Sequence, residues 1–222
     1  MSDTNAVVII DYQLGNLFSV YQACLHAGLH PMITSEKRDL LNAQAVILPG
    51  VGAFGDAMMT LKKLDLIEPL KTQVKKGVPF LGICLGMQLL FTESEEFGHY
   101  KGIGLIEGSI LRFSEKDRNS MKIPQIGWNT VYHPDPNKWD GTPLATIEQN
   151  KFMYFVHSYY AKPEHSDLIL TQTNYAGLEY CSAIHKENVI ATQFHPEKSG
   201  EIGIKFYRNW AKMINEYYRS EG

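Results

Sequence analysis

Cysteine is scarce in this chain. Cys24, Cys84 and Cys181 are the only ones in 222 residues, an odd number at unrelated spacings. That pattern argues against a disulfide framework or a cysteine zinc site and fits free thiols in a reducing compartment. An excess of one charge is also missing: 21 Lys and Arg stand against 24 Asp and Glu, and the densest cluster, Glu36-Lys37-Arg38-Asp39, mixes signs. A formal net charge of -3 offers no general basic surface for nucleic acid. Long hydrophobic runs are absent too. The apolar stretch 6–10 is too short for a signal-peptide core, has no basic residue before it, and nothing approaches a membrane span. A cytoplasmic protein with no membrane or nucleic-acid partner is expected. His26, His30, His99, His133, His165 and His185 show no metal-ligand spacing, and there is no Walker-type phosphate loop. Glycines in Pro49-Gly50-Val51-Gly52-Ala53-Phe54-Gly55 have dinucleotide spacing, but no acidic residue follows where a second strand would place it. No metal and no cofactor is implied.

What is present is an alternation of short apolar runs with helical patterns. Strands are expected at 6–11, 45–49 and 78–82, with helices at 16–27, 56–64, 65–76 and 85–92. This is the pattern of βαβ units and a parallel sheet. The second half is aromatic and β-rich, with strands expected at 103–113, 126–133, 151–161, 167–172, 180–185 and 189–194, so hairpins and antiparallel pairs should dominate there. A last helix at 203–218 carries Ile204, Tyr207, Trp210, Ala211, Ile214 and Tyr218 on one stripe, most simply a core face. No linker divides the chain, so the fold class expected is α/β: an open, mostly parallel sheet flanked by helices, as a single domain over 1–222.

The most informative run is Gly82-Ile83-Cys84-Leu85-Gly86-Met87-Gln88. Its G-x-C-x-G core has the spacing of a nucleophile elbow, where small neighbours let the chain reverse between strand and helix and expose one side chain. The start of the following helix favours the reactive thiolate. Alone, the same run would suit a buried structural cysteine. Near the other end, Phe194-His195-Pro196-Glu197-Lys198 delivers a histidine and, two residues on, a carboxylate that can face the same side on an extended backbone. Alone, it would suit a surface turn. Together, Cys84, His195 and Glu197 make a nucleophile, its base and the base's orienter.

These motifs resemble the triad-type (class I) glutamine amidotransferases. Asp11-Tyr12-Gln13-Leu14-Gly15-Asn16-Leu17, Pro49-Gly50-Val51-Gly52, Pro124-Gln125-Ile126-Gly127-Trp128-Asn129, Phe155-Val156-His157-Ser158-Tyr159 and Pro196-Glu197-Lys198-Ser199 narrow the likeness to the glutaminase subunits of imidazole glycerol phosphate synthases. The resemblance implies a flavodoxin-like fold with an antiparallel C-terminal half. It also implies L-glutamine as substrate and a heterodimer with a (β/α)8-barrel cyclase subunit that receives ammonia. Carried over residue by residue, Val51, Gly52 and Leu85 would form the oxyanion site, and the glycines around Val51 would let that loop rest in an unproductive orientation until the partner binds its own ligand. Gln88, Glu96, His157, Ser158 and Tyr159 would bind substrate; Asn16, Trp128, Asn129 and Lys198 would face the partner. Glu96 lies in the acidic run Glu93-Ser94-Glu95-Glu96, which composition alone would leave on a solvated surface, and Lys198 could equally be a solvated lysine. His157 reads as a structural or partner-facing histidine rather than a second base. Gln13 replaces the glycine many members carry in D-Y-G-x-G-N. It keeps open paralogues that supply ammonia for acetamidino-sugar synthesis. A free-standing hydrolase and a non-catalytic scaffold are further alternatives.

Overall fold

The computed structural model describes residues 6–114 and 121–220. In chain order the first half runs β1 (Ala6–Ile10), α1 (Leu17–His26), β2 (His30–Thr34), α2 (Lys37–Leu41), β3 (Ala45–Leu48), α3 (Phe54–Lys63), α4 (Ile67–Lys75), β4 (Phe80–Ile83) and α5 (Leu85–Leu89). The second continues through β5 (Phe91–Ser94), β6 (Tyr100–Lys101), β7 (Ile106–Arg112), β8 (Gln125–Val131), β9 (Lys151–His157), β10 (Tyr159–Pro163), β11 (Ile169–Tyr175), β12 (Leu178–Lys186) and β13 (Val189–Thr192) to α6 (Gly200–Ser220).

The main sheet has the order β2-β1-β3-β4-β13-β12-β10-β7-β5-β6, with β11 pairing β12. Its first five strands are mutually parallel, and those from β13 through β12 and β10 to β7 pair antiparallel. The parallel part has the doubly wound 2-1-3-4-5 order, so loops that follow strand ends gather along one edge. Strands β3 and β4 are buried at every position, which is why they read as unbroken apolar runs rather than alternating ones. Side chains alternate across β1: Val7 and Ile9 pack with Val20, Trp210 and Ile214, while Val8 and Ile10 pack with Ala57, Leu61 and Leu70 on the other face. The stripe on α6 is a core face at Tyr207, Trp210, Ala211 and Ile214, joined by Phe206, whereas Ile204 is half-buried and Tyr218, beyond the edge of the core, is exposed.

Several expected boundaries shift. The helix expected at 85–92 ends at Leu89, because the chain turns into β5, whose Phe91 pairs with Ile106 of β7. The helix expected at 65–76 begins at Ile67, since Asp65 takes φ 53 to reverse the chain after α3. The strand expected at 151–161 is two strands broken at Ser158, with β9 pairing β8 in a separate ribbon and β10 entering the main sheet beside β7. Elements β2 and α2 were not expected. Strand β2 lies at the sheet edge with His30, Met32 and Ile33 exposed, where Pro31 is tolerated and no apolar alternation is required.

Gln13 sits at φ 69 in the turn after β1, with its N–H donated to Asp11 Oδ1 at 2.9 Å. Glycine adopts that left-handed conformation without a Cβ penalty, which accounts for the residue the family prefers there. Gln13→Gly should therefore raise unfolding free energy, by up to about 1 kcal/mol. A denaturant midpoint that moves down would contradict this account of the turn.

Candidate active site

Cys84 follows β4 directly and holds φ 54, ψ -110, a backbone conformation suited to the first central residue of a type II′ turn and strained for anything but glycine. Close packing enforces it. A Cβ on Gly82 would come within 3.0 Å of the Ala191 Cβ, and one on Gly86 would overlap the Leu48 carbonyl oxygen. The Cys84 N–H donates to Thr192 O at 2.7 Å, tying the elbow to the end of β13, which also delivers the histidine.

His195 is buried, and its Nδ1 lies 2.7 Å from Glu197 Oε1. The segment is fixed from several sides: His195 N–H donates to Tyr154 O at 2.9 Å, and the Ser199 hydroxyl donates to His195 O at 2.7 Å while accepting from Tyr154 N–H at 3.0 Å. The Nε2 atom makes no well-formed hydrogen bond, and its charged neighbour is the Cys84 sulfur. Burial pushes the imidazole pKa down. The negative charge of a Cys84 thiolate and the Glu197 carboxylate outweigh it and raise the value to about 10, which suits the imidazole to accept a proton. Burial lifts the Cys24 and Cys181 thiols far above the ordinary range and keeps both inert.

Around Cys84 opens a cleft of about 450 Å³ lined by Val51, Gly52, Leu85, Gln88, Glu96, Pro124, Val156, His157, Ser158, Tyr159 and Lys198. A thiol, a charge-assisted base and an adjoining cleft suit attack on an acyl carbon. The surrounding sequence supplies the class of acyl group: residues 8–212 match the family described as Glutamine amidotransferase class-I. The chain belongs to that family. The chain is 42% identical to the imidazole glycerol phosphate synthase subunit HisH of Geobacter metallireducens over 92% of its own length and 97% of the relative's. It is 44% identical to the protein of that name from Caldanaerobacter subterraneus subsp. tengcongensis, covering 93% and 97%. Among solved structures, PurLQS from Thermotoga maritima superposes with a TM-score of 0.71 at 18% identity, covering 97% of this chain and 99% of the other. A glutamine amidotransferase from the same organism gives 0.56 at 17%, covering 98% and 85%. The last two likenesses show a shared fold.

In this amidotransferase Val51, Gly52 and Leu85, the residues expected to form an oxyanion site, line the cleft, but the Val51 N–H donates to Leu14 O at 3.4 Å. The preceding peptide is pinned, with the Tyr12 hydroxyl donating to Pro49 O at 2.7 Å. Glu96 is drawn in from its acidic run because its carboxylate accepts the Phe54 N–H at 2.6 Å; burial, with Asp56 nearby, raises its pKa. The four residues assigned to the partner face are not equivalent. Trp128 is 55% exposed on β8 and packs edge-on against Tyr154, over whose ring Lys198 Nζ sits at 5.8 Å. Asn129 points to the opposite side of β8 and donates to Asn174 O at 2.9 Å, tying the ribbon to β11. The Asn16 side chain caps α1 by accepting from Ser19 N–H at 3.4 Å. Tyr12 and Ser199 stand inside motifs given above and Gln193 directly precedes Phe194, but none of the three had a role predicted from sequence; their partners across the chain reveal one.

His157 is structural in character. Its Nδ1 lies 2.7 Å from Tyr159 O and its Nε2 3.2 Å from the Tyr180 hydroxyl. Burial, only partly opposed by the bond to Tyr159, depresses its pKa from 6.5 to about 4. Unfolded chains take up this proton near pH 6.5 while the folded state resists it down to about pH 4, so the stability it contributes is complete above 6.5 and lost as pH falls through that window. The full difference is worth about 3 kcal/mol. Between pH 7.5 and 4.5, urea unfolding should cost the wild type about 2 kcal/mol more than it costs His157→Gln. Parallel losses in both would remove His157 as the source.

Proposed function

We propose that this amidotransferase is the glutaminase half of an imidazole glycerol phosphate synthase. It hydrolyses L-glutamine and hands ammonia to a (β/α)8-barrel cyclase subunit that makes imidazole glycerol phosphate and AICAR in histidine biosynthesis. The observation that carries the catalytic half is the strained Cys84 elbow, which lines the cleft and is backed by the buried His195–Glu197 pair just behind the cleft wall. The names of relatives at 42–44% identity support the pathway. On this reading the whole chain works as one amidotransferase domain in a cytoplasmic heterodimer.

His195 takes the Cys84 proton as Sγ bonds to the side-chain carbonyl carbon of glutamine. The tetrahedral oxyanion is met by the Leu85 N–H and an N–H of the Val51-Gly52 peptide. His195 then returns its proton to the departing nitrogen, the C–N bond breaks, and ammonia leaves a thioester. Water, deprotonated by the same histidine, releases glutamate and restores the thiol. Glu96 suits the substrate's ammonium group. Both N–H groups of Gln88 are committed, to Tyr159 O at 3.1 Å and Gln193 Oε1 at 2.9 Å, so it offers substrate only its acceptor oxygen. Ser158 and Tyr159 supply backbone at the cleft wall.

Two features support a partner-gated enzyme. The Val51 N–H is spent on Leu14 rather than turned to the cleft, and the apolar face of the β8–β9 ribbon is open beside it: Ile126, Trp128 and Phe152 are 63%, 55% and 57% exposed. Trp128, Tyr154 and Lys198 form a continuous path from that face to the cleft. Glutaminase rates should therefore be low for the isolated chain and rise about tenfold or more when the cyclase and its acceptor ligand are both present. The same mixture should form imidazole glycerol phosphate from glutamine. Full activity without partner would favour a free-standing hydrolase, and stimulation only by an acetamidino-sugar synthase would move the chain to that branch.

A further inference from the structure

We propose that Gln193 holds the nucleophile for reaction by donating an amide N–H to the Cys84 sulfur. Gln193 is fully buried at the end of β13, two residues before His195, and its Nε2 lies 3.6 Å from Cys84 Sγ. That is an ordinary length for a bond to sulfur. The direction of the amide is fixed by its neighbours. Tyr159 O is a backbone carbonyl and can only accept, so the Gln88 group 3.1 Å from it must be the NH₂. The same NH₂ lies 2.9 Å from Gln193, which must present its oxygen there. Gln193 is then left with its own NH₂ toward the sulfur. A backbone carbonyl thus sets, through two buried amides, which end of Gln193 meets the nucleophile. Besides His195, the sulfur has a further polar neighbour in Val156 O, which stands at 4.0 Å and can only accept a proton from a thiol.

The consequence lies in the charged state. A thiol sulfur accepts this bond only weakly; when His195 holds the proton the thiolate accepts it more strongly, and burial makes that difference count. The Gln193 backbone N–H donates to Ser182 O at 2.8 Å, so the side chain is anchored on the antiparallel part of the sheet and cannot drift with the cleft loops.

This inference rests on Cys84 being the nucleophile, and its test separates the two. In the full-length chain, the rate of iodoacetamide alkylation of Cys84, located by peptide mass mapping, is followed against pH for wild type, Gln193→Met and Gln193→Asn. The first is nearly isosteric and removes the donor; the second keeps an amide but withdraws it from the sulfur. Both should move the alkylation midpoint upward by about one pH unit and lower glutaminase turnover in the complex about tenfold. A midpoint coinciding with wild type in either folded variant overturns the proposal, whatever happens to turnover, because a purely structural role would leave the thiolate unmoved. Failure of the underlying reading has a different signature: Cys84→Ala would still hydrolyse glutamine.

Discussion

Cys84→Ala should lose glutamine hydrolysis by at least about 10³-fold, since no other side chain at the elbow can form the thioester. The partner's synthesis from added ammonium should survive, because the elbow is held by backbone packing and not by the thiol. Alanine inherits the strained φ of 54 and should unfold at the wild-type midpoint. Glycine does not inherit the strain. Cys84→Gly should be as inactive and yet more stable by about 1 kcal/mol, because φ 54, ψ -110 is open to glycine and costly to other residues. Glutamine hydrolysis by the alanine variant within tenfold of wild type would remove Cys84 from the chemistry. A glycine variant less stable than the alanine one would remove the strain.

The second large effect is expected two residues on. A methyl group at Gly86 would overlap the Leu48 carbonyl oxygen and stand 2.8 Å from its carbon, so backbone would have to yield to side chain where α5 seats on the end of β3. Gly86→Ala should cost about 3 kcal/mol or more. Any protein that folds should be slower by about 100-fold, since a shift of α5 carries the Leu85 N–H and Cys84 away from productive geometry. Gly15→Ala is the control: its new methyl meets the tip of the Leu17 side chain at 3.3 Å, which can turn aside. Equal melting temperatures for Gly86→Ala and wild type would show that α5 is not seated as tightly as described.

What the sequence discloses here follows from range. The central strands are legible because burial on both faces writes them as apolar runs, and the elbow is legible because its glycines and cysteine are adjacent in the chain. The break at Ser158 is hidden, since β9 and β10 are equally apolar and aromatic and differ only in which sheet receives them. Edge strand β2 is hidden because little packing is asked of it. Glu96 illustrates the same limit at the site: nothing local distinguishes it from Glu93 or Glu95, and the Phe54 N–H that draws it inward lies 42 residues away in sequence. Gln193 reads locally as one more polar residue beside an aromatic, and only its bonds to Gln88 and Cys84, 105 and 109 residues away, give it a place in the chemistry.

The cysteine and the histidine are carried by strands β4 and β13, which are neighbours in the middle of the sheet, with Ile83 opposite Thr192 in register. Their relative position is therefore a property of the sheet's own spacing. Heat cannot loosen the two apart while the protein remains folded, so thermal inactivation and global melting should be one event on a slow temperature ramp. The loop at Val51 stands outside that constraint, held to Leu14 by a single long bond. On the proposed reading, control by a partner would act through this loop, a part of the site that can shift without opening the sheet.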